Sequence, residues 1–119
     1  MRDFRKIKAW ALGDDLTVAV YRATDSYPKS EQYALASQIR RAAYSVPSNI
    51  AEGASRKTKR DYLHFLYISR GSLSEVEYFL HLSRRLGYLS DSNYRRLNDE
   101  AIETQKCLCG LIKAVEEEL

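Results

Sequence analysis

The sequence predicts an all-α protein, an up-and-down antiparallel four-helix bundle whose second helix is long and kinked at a proline. Three observations predict it. Breakers are scarce, with two prolines and five glycines in 119 residues. Apolar residues recur at steps of three and four, the period that keeps side chains on one side of a helix, through four long segments. The connections between those segments are short, which makes antiparallel neighbours the default. A chain of 119 residues with 45% hydrophobic and 29% charged content suits one domain, residues 1–119, and argues against disorder.

The first helix is expected over residues ~5–24. Leu12, Leu16, Ala19 and Ala23 form one apolar stripe, and Ile7, Trp10, Val18 and Tyr21 form a second, interrupted by Asp14. A bundle helix needs a single stripe for its core, so a second stripe implies a second partner; the other reading is that Trp10 and Tyr21 close the bundle edge. The turn Asp25–Ser30 follows, where Pro28 disfavours helix at Tyr27 and Ser30 is placed to cap the second helix.

Leu35, Ile39, Ala42, Val46 and Ile50 carry the second helix, and their phase runs straight across Pro47. A helix-interior proline loses a hydrogen bond and crowds the preceding turn, at a cost of ~3 kcal/mol or more. A break would instead place Pro47 at the first position of a new helix, where it is tolerated. Val46 would then be the N-cap, although it has no side-chain oxygen for the open backbone N–H groups. Unbroken phase and a poor cap favour one helix to about Ser55, kinked near Pro47. On its flank lie Gln38, Ser45, Asn49, Glu52 and Arg56. Asn49 and Glu52 sit near the apolar edge and suit a structural hydrogen-bond network; Glu52 and Arg56 have the spacing of a helical ion pair. The far side carries Ser37, Tyr44, Ser48, Ala51 and Ser55, small residues apart from the tyrosine. They suit close approach by a second backbone or, equally, a surface of low charge.

Thr58 with Asp61 resembles a capping box for a third helix over ~59–86. Its broad face holds Tyr62, Phe65, Leu66, Ser69, Leu73, Val76, Phe79 and Leu80, and the opposite line holds Tyr67, Gly71, Ser74 and Tyr78. Gly87 is a suitable residue just past the helix end. Leu89, Ser90 and Tyr94 make a hydrophobic staple around an N-cap serine, opening a fourth helix over ~91–117. Tyr94, Leu97, Ala101, Leu108, Ile112, Val115 and Leu119 are in phase there. Glu116, Glu117 and Glu118 fall at its C-terminus, where the helix dipole disfavours acids, so that end is expected to fray. The surplus stripes make Trp10, Tyr21, Tyr44, Ser48, Tyr67, Gly71 and Tyr78 candidates for a homo-oligomer interface.

Ser37–Ala42, SQIRRA, and Ser45–Gly53, SVPSNIAEG, resemble the signature of a bacterial four-helix bundle family first noticed in intervening sequences of 23S ribosomal RNA genes. Trp10, the Tyr27-Pro28 turn, Gly71-Ser72-Leu73 and Leu86-Gly87-Tyr88-Leu89 agree with it, so the resemblance covers nearly the whole chain. It implies an up-and-down bundle, pentameric rings and a role with RNA, and it makes Gln38, Pro47, Asn49, Glu52 and Gly53 motif residues of structural kind. The accessory protein of diversity-generating retroelements is a distant relative in fold; no motif here carries its function over.

Little in the chain suits catalysis. Cys107 and Cys109 point roughly 200° apart on a helix, so they can neither bridge nor share a metal, and they read as reduced thiols. His64 follows Asp61 in a single Asp-x-x-His, His81 has Tyr78 where such a motif needs an acid, and Glu100 and Glu103 form a lone Glu-x-x-Glu. There is no glycine-rich phosphate loop. The expectation is a protein that is not an enzyme, with no cofactor and no metal. No run reaches the ~18 apolar residues of a membrane span and the start lacks a signal-peptide core, which predicts a cytoplasmic location.

Charge placement gives the functional expectation. The formal net charge is only +3, yet Arg40, Arg41, Arg56, Lys57, Lys59 and Arg60 fall in one stretch with a single acid, Glu52. Clustered bases neutralise phosphates without reading sequence, so these six are candidates for RNA contact. Tyr44 and Tyr62 are near enough in sequence to stack on an unpaired base, although Tyr62 is phased for the core. The alternative is a protein–protein adaptor or scaffold that uses the small-and-tyrosine faces and has no nucleic-acid role.

Overall fold

The computed structural model describes residues 2–119. A 3-10 turn, Phe4–Lys6, precedes α1 (Lys8–Thr24), the short α2 (Lys29–Gln32), α3 (Leu35–Ala54), α4 (Lys59–Arg85) and α5 (Asp91–Glu117). Each long helix packs on two neighbours, α1 on α3, α3 on α4, α4 on α5 and α5 back on α1, while the diagonals barely touch. This is the four-helix bundle expected, with α2 and α3 together making its second helix.

The core runs the length of the bundle. Leu16 and Val20 of α1, Ile39, Val46 and Ile50 of α3, Leu66, Leu73, Val76 and Leu80 of α4, and Leu97 and Leu108 of α5 are fully buried. Burying each such side chain contributes ~1.5–3 kcal/mol. On α1 the buried face is Ala9, Gly13, Leu16, Val20 and Thr24. The expected stripe is therefore rotated: Leu12, Ala19 and Ala23 are only half-buried. The second stripe also divides. Ile7 and Trp10 pack against the chain's own core, with Phe4 edge-on to Trp10 at 5.0 Å, and only Val18 and Tyr21 stay exposed.

Helix α3 is continuous through Pro47. Proline lacks the N–H that would bond the Ala43 carbonyl, and α1 supplies a substitute. The Thr17 hydroxyl lies 3.1 Å from that oxygen and 2.8 Å from the Gly13 carbonyl, so its one proton is shared. Gly13 lets the helices meet here: a Cβ on it would stand 3.0 Å from Val46 Cγ1 and 3.4 Å from Pro47 Cδ. From the other side Ser69 Oγ donates to the Val46 carbonyl at 2.7 Å. Thr17→Val, which keeps shape and removes the donor, is expected to destabilise the fold by ~1–3 kcal/mol, measured by urea unfolding.

The second helix is bent by 37° with α2 and α3 joined, and it is interrupted as well. Ser30 does not cap it; Pro28 holds the N-cap position of α2, and the chain breaks at Tyr33–Ala34, where Ala34 has φ −121° and ψ −103°. Two side chains explain the break. Gln32 Nε2 donates to the Thr24 and Tyr27 carbonyls, closing the end of α1. Glu31 accepts from the Leu35 N–H at 3.4 Å, opening α3, and from the Tyr88 hydroxyl at 2.8 Å.

The remaining ends follow the sequence. Thr58 and Ser90 accept from the backbone N–H groups of Asp61 and Asn93, and Gly87 takes φ +78° after α4. Helix α5 runs to Glu117, the bound expected from the sequence. Tyr67 donates to Glu116 Oε2 at 2.6 Å, and Lys59 lies 3.9 Å from Glu118. Of the three acids, Glu118 lies beside the first residue of α4 and Glu116 is tied about two turns further along it.

Candidate nucleic-acid interface

The α3–α4 connection is open and basic because it carries Arg56 and Lys57 itself and α4 begins with Lys59 and Arg60. Arg56, Lys57, Lys59 and Arg60 are all exposed. Glu52 pairs with Arg56 at 2.6 Å and Glu118 with Lys59 at 3.9 Å. Lys57 and Arg60 have no acid within 4.0 Å among the described residues. The N-terminus adds bases that reasoning from the central stretch missed. Arg2 donates to the Arg56 carbonyl at 3.1 Å, and its guanidinium lies 4.2 Å over the Tyr62 ring. Arg5 and Lys6 follow in the adjoining 3-10 turn, Arg5 beside Asp3 at 3.8 Å. The signal was visible in the first eight residues, MRDFRKIK, where Arg2, Arg5, Lys6 and Lys8 outnumber one acid.

Tyr62 sits beneath this surface, only 3% exposed, so it supports Arg2 and offers no face to a base. Burial pushes its pKa up, and the nearby Arg2 charge pulls the other way. Arg2, Ser55, Arg56 and Lys57 line a wide, open depression.

Arg40 and Arg41 lie elsewhere, 15 residues and ~22 Å up α3 from Arg56 and Lys57. Arg40 Nε donates to Thr24 Oγ1 at 2.8 Å, and its guanidinium lies 5.2 Å from the centre of the Tyr21 ring. With Tyr33, Arg41 and Tyr44 these residues line a second groove. The sequence's basic stretch is thus two surfaces. Its interface candidates also separate: Trp10 is packed within its own chain, Tyr21 and Tyr44 join the groove, and Tyr67, Gly71 and Tyr78 are exposed along α4. Ser48 is exposed on α3 between the two basic surfaces.

The motif residues around Pro47 have local partners. Asn49 Nδ2 donates to the Ser45 carbonyl at 2.8 Å and to Ser45 Oγ at 2.9 Å, and Ser45 Oγ meets Ser72 Oγ of α4 at 2.8 Å. Gly53 lets α3 and α4 close: a Cβ there would stand 2.9 Å from Phe65 Cβ and 3.1 Å from the Tyr62 carbonyl. Gln38 is exposed on α3.

The acids of α5 form no metal centre; among the described residues no three His, Cys, Asp or Glu side chains are placed to hold an ion. Glu100 lies half-buried between α1 and α5 with Asp15 and Glu103 around it, and its Oε2 has no hydrogen-bond partner. Burial pushes its pKa up; Arg96 opposes that, and Asp15 and Glu103 add to it. A carboxyl whose pKa is higher folded than unfolded contributes stability below the unfolded pKa, lost as pH rises through the folded one. Glu100→Gln should therefore be more stable than wild type at neutral pH, by under ~1 kcal/mol given solvent screening. The advantage should shrink toward about pH 4, checked by urea melts at both ends.

Comparison with known proteins agrees with the fold. A crystal structure of a protein with unknown function from the S23 ribosomal protein family of Bacteroides thetaiotaomicron is similar, with a TM-score of 0.81 and 24% identity over 88% of this chain and 95% of that one. No curated protein matches the chain. No helix among the described residues is long and apolar enough to cross a membrane. Residues 5–110 match the family described as 23S rRNA-intervening sequence protein, and the chain belongs to that family.

Proposed function

We propose that this is a non-enzymatic, oligomeric RNA-associated protein of the cytoplasm, and that the end of the bundle around the α3–α4 connection holds RNA phosphates. The observation that carries the reading is the convergence of three chain segments there. Arg2 crosses to the Arg56 carbonyl, so N-terminal bases join those that follow α3 and begin α4. Arg2, Lys6, Lys57 and Arg60 have no acid within 4.0 Å among the described residues, and Arg2 and Lys57 line an open depression with Ser55 and Arg56. Each phosphate neutralised on a single strand contributes ~0.7 to the salt slope. A titration of the full chain with single-stranded RNA should give log K falling with log salt at a slope steeper than about −3, to which these four bases alone amount. A slope of zero would remove the electrostatic reading.

A protein–protein adaptor is the second reading, favoured by the exposed Tyr67, Gly71 and Tyr78 of α4. Salt-insensitive capture of one protein partner, with no RNA affinity, would select it.

A further inference from the structure

The second groove differs in chemistry from the basic end. Tyr33 is 96% exposed, presented at the break between α2 and α3 and adding almost nothing to its own fold. Tyr21 and Tyr44 are each 45% exposed. Arg40 is held in place: its side chain is 20% exposed, tied to Thr24 and lying over Tyr21. Arg41 is exposed, with no acid within 4.0 Å among the described residues. Among the described residues the one acid within 4.0 Å of these two guanidiniums is Asp25, 4.0 Å from Arg40 and 91% exposed itself.

We propose that the groove of Tyr21, Tyr33, Tyr44, Arg40 and Arg41 is a stacking site for unpaired bases of single-stranded RNA, with Arg41 on the adjoining phosphate. The proposal rests on the RNA reading above and adds a strand class to it. Charge complementarity selects the ligand: two guanidiniums line the groove and no carboxylate does. The aromatic lining selects the strand state. In a duplex the base faces are covered by their neighbours, whereas an unpaired base offers its face to a tyrosine whatever its sequence. Fixing Arg40 on Tyr21 leaves that pair ordered before any ligand arrives, which reduces the cost of binding.

The groove and the basic end lie along one helix. From Arg41 to Arg56 is 15 residues, about 22 Å at the helical rise. The exposed residues between them include the small Ser48 and Ser55. A stacked strand advances ~3.4 Å per nucleotide, so about seven nucleotides bridge the two surfaces. Oligonucleotides shorter than that reach only one.

The test is fluorescence anisotropy of the full chain with labelled single-stranded oligoadenylate of about ten nucleotides, the same strand in duplex, and one of about four. Tyr33→Ala and Tyr44→Ala should each weaken binding of the longer single strand by at least ~5-fold, the factor for ~1 kcal/mol of stacking. Their salt slope should stay unchanged. Tyr33→Phe, which keeps the ring, should bind like wild type, and Arg41→Ala should lower the slope by ~0.7. The four-nucleotide strand and the duplex should bind more weakly than the longer single strand. Circular dichroism should show unchanged helicity, since Tyr33 is almost wholly exposed.

Wild-type affinity in both alanine variants, alongside loss of binding in a variant of the basic end, would overturn this proposal and leave the RNA reading standing. No RNA binding by the wild-type chain would overturn both. A change of oligomer mass in the tyrosine variants at unchanged RNA affinity would assign the groove to a contact between copies and overturn the proposal.

Discussion

Replacing Arg56, Lys57, Lys59 and Arg60 together by alanine is expected to lower affinity for single-stranded RNA about a hundredfold at physiological salt and to leave the helices intact. The magnitude follows from counterion release. Four phosphates at ~0.7 each remove almost three from the salt slope, which at about 0.15 M corresponds to ~100-fold. Arg56 and Lys59 already face Glu52 and Glu118, so part of their charge is spent within the chain and a larger factor is not expected. The fold should survive because all four side chains are exposed. Arg56 also lies 4.7 Å from the centre of the Phe65 ring, and losing such an exposed contact costs ~0.5–1 kcal/mol. The Arg56 carbonyl that holds Arg2 belongs to the backbone and is untouched by the change. Anisotropy titrations at two salt concentrations read both numbers. Unchanged binding by the quadruple variant would place any RNA contact elsewhere.

The fold was legible in the sequence where one rule acted alone. The phase of Ile39, Val46 and Ile50 across Pro47 favoured a continuous helix over a break, and the structure has it. What the phase could not supply was the substitute donor, because Thr17 is 26 residues from the carbonyl it serves. Tertiary contacts also decided what local rules left open. Ser30 looked like a cap, but the helix starts before it at Lys29, and Gln32 and Glu31 use their side chains to close α1 and open α3 across the break that follows. Three successive acids at the end of α5 gave no sign that Tyr67 and Lys59 of α4 lie against two of them. The candidate site shows the same division. A run of bases can be counted in a sequence, yet α3 carries two of them to one groove and delivers the others to the bundle end. Only the folded N-terminus shows that Arg2 belongs with the second group. Tyr33 had no signal, since an aromatic residue beside an apolar stripe reads as core until the backbone breaks next to it.

Gly71→Leu is expected to convert the proposed oligomer to monomer while leaving the fold at least as stable. The argument rests on a glycine with no use inside its own chain. Gly13 and Gly53 both lie where a Cβ would press on a neighbouring helix, whereas a Cβ on Gly71 would meet nothing within 4 Å. A glycine in a helix interior costs ~1 kcal/mol relative to alanine. In an isolated subunit Gly71→Ala should therefore stabilise by about that amount. Around it, Tyr67 is 39% exposed and Tyr78 57% exposed, and the Tyr67 hydroxyl is fixed to Glu116 at 2.6 Å. An anchored Tyr67 and an exposed Tyr78 flanking a bare backbone suit the proposed contact with a second copy of the chain, which leucine would obstruct. Closed cyclic symmetry satisfies one such face per subunit without leaving an end that grows filaments. A ring of five is what the family resemblance implies, so a dimer or trimer would remove only that number. Native mass spectrometry at micromolar concentration, with urea unfolding of the same samples, separates the outcomes. A wild-type monomer would remove the oligomer altogether. An oligomer whose mass ignores Gly71→Leu would move the contact off α4, and Ser48 of α3 would be the next position to substitute.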